Sequence, residues 1–200
     1  MSQPDEYRTI KSLSEGQYSE KRSKFLAFAL PVENVDEVRE LVAQYQKKYY
    51  DARHACYAYM IGADRQTFRA NDNGEPSGTA GKPILGQINS NELTNILIIV
   101  VRYFGGIKLG TSGLIQAYKT AAAEAISNAE IVTKTVDENL SVVYEFPMMN
   151  SVMKVIKDLN PKIISQGYET DCTMTLQIRK GMIPELKSRL SKIDTLRFEE

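Results

Sequence analysis

The sequence has very little of what metal sites, secretion and membrane anchoring require. Its 200 residues include two cysteines, one histidine and no tryptophan. Cys56 and Cys172 lie far apart in the chain, so with a single histidine they do not make a structural zinc site. No apolar run approaches the roughly 20 residues that a membrane-spanning helix needs. The N-terminus also lacks the apolar core of a secretion signal.

The formal net charge is zero, because 25 basic residues are matched by 25 acidic ones. This balance argues against a protein that coats nucleic acid through bulk charge, although folding can still create a local basic patch. The hydrophobic fraction of 42% is enough for a core and too high for a disordered protein. We expect a reduced cytoplasmic protein with no metal, no cofactor and no membrane contact, and the oligomeric state does not follow from the sequence.

The hydrophobic pattern of the first two thirds of the chain predicts both strands and helices. Apolar stretches predict strands at residues 24–32, 55–61 and 96–101. The last of these, ILIIVV, is typical of a strand that is covered on both faces. Apolar residues at helical spacing predict helices at 35–50, 83–88 and 113–129. Asn34 or Asp36 is expected to cap the first of these helices, and Thr111 or Ser112 the last.

A polar stretch that begins near Thr133, TKTVDEN, has the composition of a linker. After it, patterning predicts strand, helix, two strands and a helix, over residues 140–146, 151–159, 162–168, 172–179 and 184–193. Residues 195–198 are compatible with a last strand, and the order βαββα suggests a ferredoxin-like split βαβ. We therefore predict an α+β chain of two α/β sandwich domains, residues 1–134 and 135–200.

The segment VRYFGGIKLGTSGL, residues 101–114, has the features of an anion site. A buried strand ends near Arg102, and a helix is predicted to begin near Gly113. The first N–H groups of a helix are unpaired and carry partial positive charge. Glycines between the two elements allow close backbone approach, and Arg102 and Lys108 flank them. The alternative is that the glycines only form a tight turn.

Two nucleotide-binding fingerprints are excluded. GGIKLGTSG lacks the G-x-G-x-x-G spacing of a dinucleotide-binding turn. The loop NDNGEPSGTAGKP, residues 71–83, has Pro76 where a P-loop needs its first glycine and Pro83 where it needs the serine or threonine that binds magnesium. The length of this loop instead suggests an ordered wall of a binding groove.

Several residues near these segments allow more than one interpretation. Asp72 and Glu75 are candidates for acid–base chemistry, but loop carboxylates three residues apart more often cap backbone N–H groups. His54 titrates in the physiological range or serves a structural role at a strand start. Cys56 is two residues further on, so a Cys–His dyad is conceivable, although a thiol in an apolar run is usually inert.

Taken together, NDNGEPSGTAGKPIL and VVRYFGGIKLGTSGLIQAY strongly resemble the signature of the IMPACT/YigZ family, over about residues 21–131. The part after Thr135 resembles the small C-terminal domain of bacterial members, which is similar to the fifth domain of elongation factor G. The resemblance implies an N-terminal domain like the second domain of a small-subunit ribosomal protein. It also implies a role near translation: eukaryotic members regulate translation under amino-acid stress through a protein partner, and bacterial members are thought to act on nucleic acid or the ribosome.

The family motifs carry over onto this chain residue by residue. Matching positions in the first motif are Asp72, Gly74, Glu75, Pro76, Ser77, Gly78, Thr79, Gly81 and Pro83. Matching positions in the second are Arg102, Tyr103, Gly105, Gly106, Lys108, Leu109, Gly110, Thr111 and Gly113. His54 also falls where members commonly carry a histidine. The chain departs from the common pattern at Asn73, Ser112 and Gln116, where many members have Asp, Gly and Arg.

The leading hypothesis is a non-enzymatic protein that binds RNA or the ribosome, or a translation-associated protein, in regulation of translation or a stress response. The predicted anion or nucleic-acid contacts are Arg102, Lys108, Lys82, Gly105, Gly106, Gly110, Thr111, Ser112 and Gly113. The predicted groove loop comprises His54, Asp72, Gly74, Glu75, Pro76, Ser77, Gly78, Thr79 and Gly81. No catalytic residue is assigned. The alternatives are a protein–protein regulator without RNA contact, and an enzyme acting on a phosphorylated small molecule with Glu75 or His54 as its base.

Overall fold

The structure is a computed structural model, and it describes residues 5–199 of the chain. Its backbone contacts divide the chain into two compact units, Met1–Lys134 and Thr135–Glu200. Mixed helices and antiparallel strands in separate sheets make it an α+β protein, as the sequence patterning predicts. Each unit has its own apolar core, and each is described by itself.

Among its described residues, the first unit contains seven strands and three helices. The strands are β1 (Glu6–Ile10), β2 (Ser14–Glu20), β3 (Ser23–Pro31), β4 (His54–Ile61), β5 (Thr67–Asn71), β6 (Ile96–Tyr103) and β7 (Ile131–Thr135). The helices are α1 (Val35–Lys48), α2 (Gly81–Ser90) and α3 (Gly110–Ser127). The predicted elements of this unit are present with shifted ends, whereas β1, β2, β5 and β7 have no counterpart in the sequence prediction.

A five-stranded sheet in the order β2-β3-β6-β4-β5 forms the centre of this unit, and all its neighbouring strands are antiparallel. Strand β6 is the middle strand, and its first seven residues are all buried. Ile96, Ile98 and Val100 belong to the core on one face, and Leu97, Ile99 and Val101 to the core on the other. Alternating side chains of a strand point to opposite faces, so the run ILIIVV serves both cores, as predicted.

Helices cover both faces of this sheet. Helix α3 packs Leu114, Ala117, Ala121 and Ala125 into the first core, together with Ile84 and Ile88 of α2. The helical spacing of these residues places them in one buried stripe, and the small alanine side chains allow the helix to lie close to the strands. Helix α1 covers the opposite face through Val38 and its neighbours. Asn34 caps α1 by accepting a hydrogen bond from the Glu37 N–H at 2.9 Å, which confirms one of the two predicted caps.

The polar stretch after Thr133 is not a free linker. Its first residues lie in β7, which pairs with β1 in a two-stranded sheet, and its last residues begin the next strand at Asp137. The prediction of a linker was wrong because its polar side chains are exposed on paired strands, where the backbone hydrogen bonds and not the side chains determine the structure.

The second unit contains strands β8 (Asp137–Tyr144), β9 (Lys162–Tyr168), β10 (Cys172–Arg179) and β11 (Arg197–Glu199) with helices α4 (Met149–Leu159) and α5 (Ile183–Leu190). The strand order is β11-β8-β10-β9, and all pairs are antiparallel. Along β10, Cys172, Met174, Leu176 and Ile178 are buried while the residues between them are not, so the predicted alternation is confirmed. The buried face packs on Val152, Ile156, Leu186 and Leu190 of the helices.

Among residues 5–199, no helix combines the length and the apolar character that crossing a bilayer requires.

Candidate functional site

Two segments that are distant in sequence meet at one pocket of about 500 Å³. The loop between β5 and α2 supplies one wall, and the segment from the end of β6 to the start of α3 supplies the other. Strand β4 joins them, because His54 at its start pairs with Arg102 near the end of β6. The lining residues are Arg53, His54, Gly74, Glu75, Pro76, Arg102, Phe104, Lys108, Leu109, Gly110, Thr111 and Leu114. A volume of this size falls in the range of small-molecule sites.

Asp72 holds the loop in place by binding backbone N–H groups. Its carboxylate accepts hydrogen bonds from the N–H groups of Gly78 at 2.8 Å, Ala80 at 3.1 Å and Gly81 at 2.8 Å. It therefore satisfies the start of α2, which has no cap from its own flanking residue. Burial acts to raise the pKa of Asp72, but these three bonds and the Lys82 charge together lower it. Asp72 thus has the structural role that the sequence left open.

Glu75 lies at the centre of a buried polar network. Its Oε1 atom accepts a hydrogen bond from Arg102 Nη1 at 2.7 Å and another from the Tyr118 hydroxyl at 2.8 Å. The Glu75 and Arg102 side chains are only 3% and 7% exposed. Two buried opposite charges at this distance neutralise each other, so Glu75 is a partner of Arg102 and not a free carboxylate.

This ion pair changes the role expected of Arg102. The sequence predicts that β6 ends near Arg102 because a cation rarely stays unpaired in a core. Instead, the strand continues to Tyr103, and Arg102 is buried with Glu75 as its partner. The positive charge of Arg102 is therefore already compensated before any ligand binds.

The remainder of the Arg102 guanidinium faces aromatic rings. Its central carbon lies 5.6 Å from the centre of the Phe25 ring and 5.5 Å from that of Phe104. Its Nε atom is buried and has no hydrogen-bond partner among residues 5–199. A buried donor without an acceptor is uncommon in folded proteins.

His54 has both ring nitrogens near acceptor atoms. Nδ1 lies 2.8 Å from the Asn73 carbonyl oxygen, and Nε2 lies 3.8 Å from Glu75 Oε2. The Nδ1 contact requires a proton on that nitrogen, because a carbonyl oxygen only accepts hydrogen bonds. Since Glu75 is bound to Arg102 and Tyr118, His54 is the better placed of the two residues that the sequence suggests as a base.

Cys56 does not form a dyad with His54 among the contacts described for the chain. Its sulfur donates to the Asp72 carbonyl oxygen at 2.9 Å and lies 3.4 Å from the Tyr118 hydroxyl. Burial raises the pKa of the Cys56 thiol to about 12. The thiol is therefore protonated at neutral pH, and its environment is that of an inert structural cysteine.

The start of α3 differs from the prediction in a way that matters for binding. The helix begins at Gly110, three residues before the predicted start, and the flanking Leu109 gives no side-chain cap. Thr111 and Ser112 lie inside the first turn, so the expectation that one of them caps the helix was wrong. Gly110 has φ +75°, a conformation that favours glycine, and this allows the chain to enter the helix early. The first N–H groups of α3 are left without a capping side chain.

Only some of the predicted contact residues line the pocket. Those that do are His54, Gly74, Glu75, Pro76, Arg102, Lys108, Gly110 and Thr111. Those that lie outside the lining are Asp72, Ser77, Gly78, Thr79, Gly81, Lys82, Gly105, Gly106, Ser112 and Gly113. Several of the second group instead shape the walls: a Cβ at Gly105 would lie 2.0 Å from the Arg22 carbonyl carbon, so only glycine fits there.

Among the residues of the site that the sequence does not identify are Arg53, Phe104 and Tyr118. Arg53 is exposed at the pocket, and its guanidinium carbon lies 5.7 Å from the centre of the Phe104 ring. Its position directly before His54 was the available signal. Tyr118 was assigned only to the apolar stripe of α3, and its hydrogen bond to Glu75 spans 43 residues. No local pattern indicates that partner.

A family model and the named relatives agree on one family. The model of the Impact N-terminal domain matches residues 21–126. The IMPACT family member YigZ of Escherichia coli (strain K12) is 30% identical over 173 residues, which is 86% of this chain and 85% of that protein. Protein IMPACT of Rattus norvegicus is 34% identical over 95 residues, or 46% of this chain and 30% of that protein. A crystal structure of a hypothetical protein superposes with a TM-score of 0.75 at 27% identity and covers 98% of this chain and 97% of that one.

Proposed function

Because the chain belongs to the IMPACT family, which has members in bacteria and eukaryotes, we propose that it is a non-enzymatic binding protein that engages RNA or the ribosome and acts in regulation of translation or a stress response. The pocket between the two family motifs is the proposed contact. We further propose a cytoplasmic location, which suits the two unpaired cysteines, Cys56 and Cys172.

The observation that carries this proposal is a pair of uncompensated cations beside an uncapped helix start. Arg53 and Lys108 are exposed, both line the pocket, and neither has an ion-pair partner in the described part of the chain. The N–H groups at Gly110 and Thr111 have no capping side chain. A helix N-terminus with adjacent cations is a favourable place for a phosphate.

The cationic contacts are therefore partly different from those expected from the sequence. Arg102 is paired with Glu75, and Lys82 lies outside the pocket on the first turn of α2. Lys108 lines the pocket, and we propose Arg53 in place of Arg102 as the second cationic contact. RNA binding through two such contacts is moderate in strength and depends on salt, which fits a chain of zero net charge.

The second unit offers a further surface for the same kind of partner. We propose that it is ferredoxin-like and similar to the fifth domain of elongation factor G, and that the first unit is like the second domain of a small-subunit ribosomal protein. The order β11-β8-β10-β9 supports the first likeness, because each βαβ unit is split by a strand of the other. Ser141, Thr173 and Thr175 lie on one face of this sheet together with the buried Val143, and helices α4 and α5 pack on the other face.

The proposal is tested by the salt dependence of RNA binding. With two phosphate contacts at about 0.7 each, the logarithm of the association constant should fall by about 1.4 per decade of salt, which is about sevenfold between about 50 and 200 mM. Fluorescence anisotropy with a short unstructured RNA measures this slope. An affinity that does not change over this range, or no binding at all, would contradict the proposal.

A matched pair of charge variants locates the contact. Lys108→Gln removes a pocket cation of the segment before α3, and Lys119→Gln removes an exposed cation of α3 that lies outside the pocket. We expect Lys108→Gln to reduce the slope from about 1.4 to about 0.7 and Lys119→Gln to leave it unchanged. Equal slopes for the two variants would place the RNA contact elsewhere.

A protein partner is the second candidate, and exposed apolar side chains favour it. Phe104 and Ile107, which flank the glycine pair of the second motif, are 41% and 46% exposed. Apolar side chains beside cations are common at the centres of protein interfaces. The affinity-purified chain should then retain a defined protein from a nuclease-treated lysate, and Ile107→Ser should lose it while Lys119→Gln retains it. A partner that disappears on nuclease treatment favours RNA instead.

A further inference from the structure

The charges that line the pocket do not balance. Five ionisable side chains take part, namely Arg53, His54, Glu75, Arg102 and Lys108. Glu75 and Arg102 cancel each other at 2.7 Å. Arg53 and Lys108 then contribute two positive charges that no further acidic side chain among the lining residues offsets. A ligand with a charge of −2 compensates both, whereas a single internal phosphodiester carries a charge of −1 and compensates only one.

Hydrogen-bond donors are also in excess at the pocket. The start of α3 supplies N–H groups at Gly110 and Thr111 without a capping side chain. Arg102, whose side chain is only 7% exposed, has a buried Nε atom with no acceptor among the described residues. This second observation is independent of the helix, and it concerns a residue that lines the same pocket. A phosphate monoester carries about −1.5 to −2 charges at pH 7 and presents three acceptor oxygens.

The size and lining of the pocket suit one nucleotide rather than a strand that passes through. Proteins that bind single strands along their length use grooves of about 4–16 nucleotides with a series of aromatic rings. This pocket has about 500 Å³, and among the lining residues Phe104 is the only aromatic one. Phe104 is 41% exposed, so its ring provides a single surface for one base.

We propose that the pocket takes a terminal phosphomonoester, on the end of an RNA strand or on a free nucleotide, in preference to an internal phosphodiester. Arg53 and Lys108 compensate its two charges, and the N–H groups of Gly110 and Thr111 bind its oxygens. The inference rests on the proposed function, since it specifies which phosphate that site recognises.

Calorimetric titration with matched ligands tests this inference on the full chain. Three RNA decamers of one sequence are compared, one with a 5′-phosphate, one with a 3′-phosphate and one with hydroxyls at both ends, together with a nucleoside 5′-monophosphate. We expect one phosphorylated decamer to bind about tenfold more tightly than the decamer with two hydroxyls, the effect of one additional hydrogen bond to a charged group. Lys108→Gln should lose this preference, and Lys119→Gln should keep it.

The outcomes separate the inference from the proposed function. Equal affinity for the three decamers overturns the inference and leaves RNA binding in place. Binding of the nucleoside monophosphate without any decamer supports the phosphomonoester and refutes RNA as the partner. If no decamer and no monophosphate binds, both fail. A preference that survives Lys108→Gln also overturns the inference, because the terminal phosphate then binds elsewhere.

Discussion

The buried pair of Glu75 and Arg102 yields the sharpest prediction about stability. Arg102→Leu removes the cation and leaves the Glu75 carboxylate, which is 3% exposed, with the Tyr118 hydroxyl as its remaining hydrogen-bond donor. Breaking a buried ion pair by removing one partner costs about 3–5 kcal/mol, because the other charge stays buried and uncompensated. At about 2–4 °C per kcal/mol for a domain of this size, the melting temperature of the first unit should fall by roughly 10 °C.

Urea unfolding at neutral pH measures this loss, and two further variants make it specific. Arg102→Leu combined with Glu75→Leu removes both charges and should recover most of the stability, since apolar residues of similar volume often replace a buried pair at little cost. Arg39→Leu breaks the exposed pair with Asp36 and should change stability little. The reasoning is refuted if Arg102→Leu costs less than about 1 kcal/mol, or if the double variant is less stable than Arg102→Leu alone.

Three further predictions concern the loop, the thiol and the glycine pair. The pKa of Asp72 is lowered in the folded protein, so its contribution to the free energy of unfolding is present above pH 3.8 and is lost as the pH falls further. In urea unfolding, the difference in free energy of unfolding between the protein and its Asp72→Asn variant should therefore narrow below pH 3.8. A difference that stays constant would contradict this. With its pKa raised to about 12, Cys56 should react with a thiol reagent at pH 8 only as fast as the protein unfolds. Peptide mapping measures the labelling rate. Fast labelling of the folded protein would contradict the prediction that the thiol is buried and protonated. Gly105→Ala should prevent folding or strongly destabilise the first unit, because the new Cβ overlaps the Arg22 backbone. Gly106→Ala, at φ +89°, meets open space and should lower the free energy of unfolding by about 1 kcal/mol in denaturant. Similar losses for the two variants would refute the packing argument.

Much of the fold could be predicted because its strongest elements are locally periodic. Six consecutive apolar residues from Ile96 determine a doubly covered strand, and the alanines of α3 give a stripe that only a helix can bury on one side. The strands that were missed have other properties. β2, with the sequence SEGQYSE, is an edge strand and mostly polar, and β5 is largely exposed. Their pairing is determined by the neighbouring strand and not by their own composition.

The candidate site was only partly predictable, for a similar reason. The composition of the two glycine-bearing segments predicted that they form one site, and residues of both line one pocket. Which charges remain free could not be predicted, because the pairing of Arg102 with Glu75 spans 27 residues and the Tyr118 contact spans 43. A charged residue near a strand end is an equally good candidate for a ligand contact and for a buried pair, and only the three-dimensional partner distinguishes these roles.

The central claim is that the junction of the two motifs binds phosphate, and backbone amide NMR tests it most directly. Titration of the full chain with the 5′-phosphorylated decamer should shift the amide signals of Gly110 and Thr111 first and most, together with those of the adjacent Lys108 and His54, and these shifts should disappear at high salt. The claim would be contradicted if these four signals did not move and only the signals of the sheet face around Thr173 and Thr175 did.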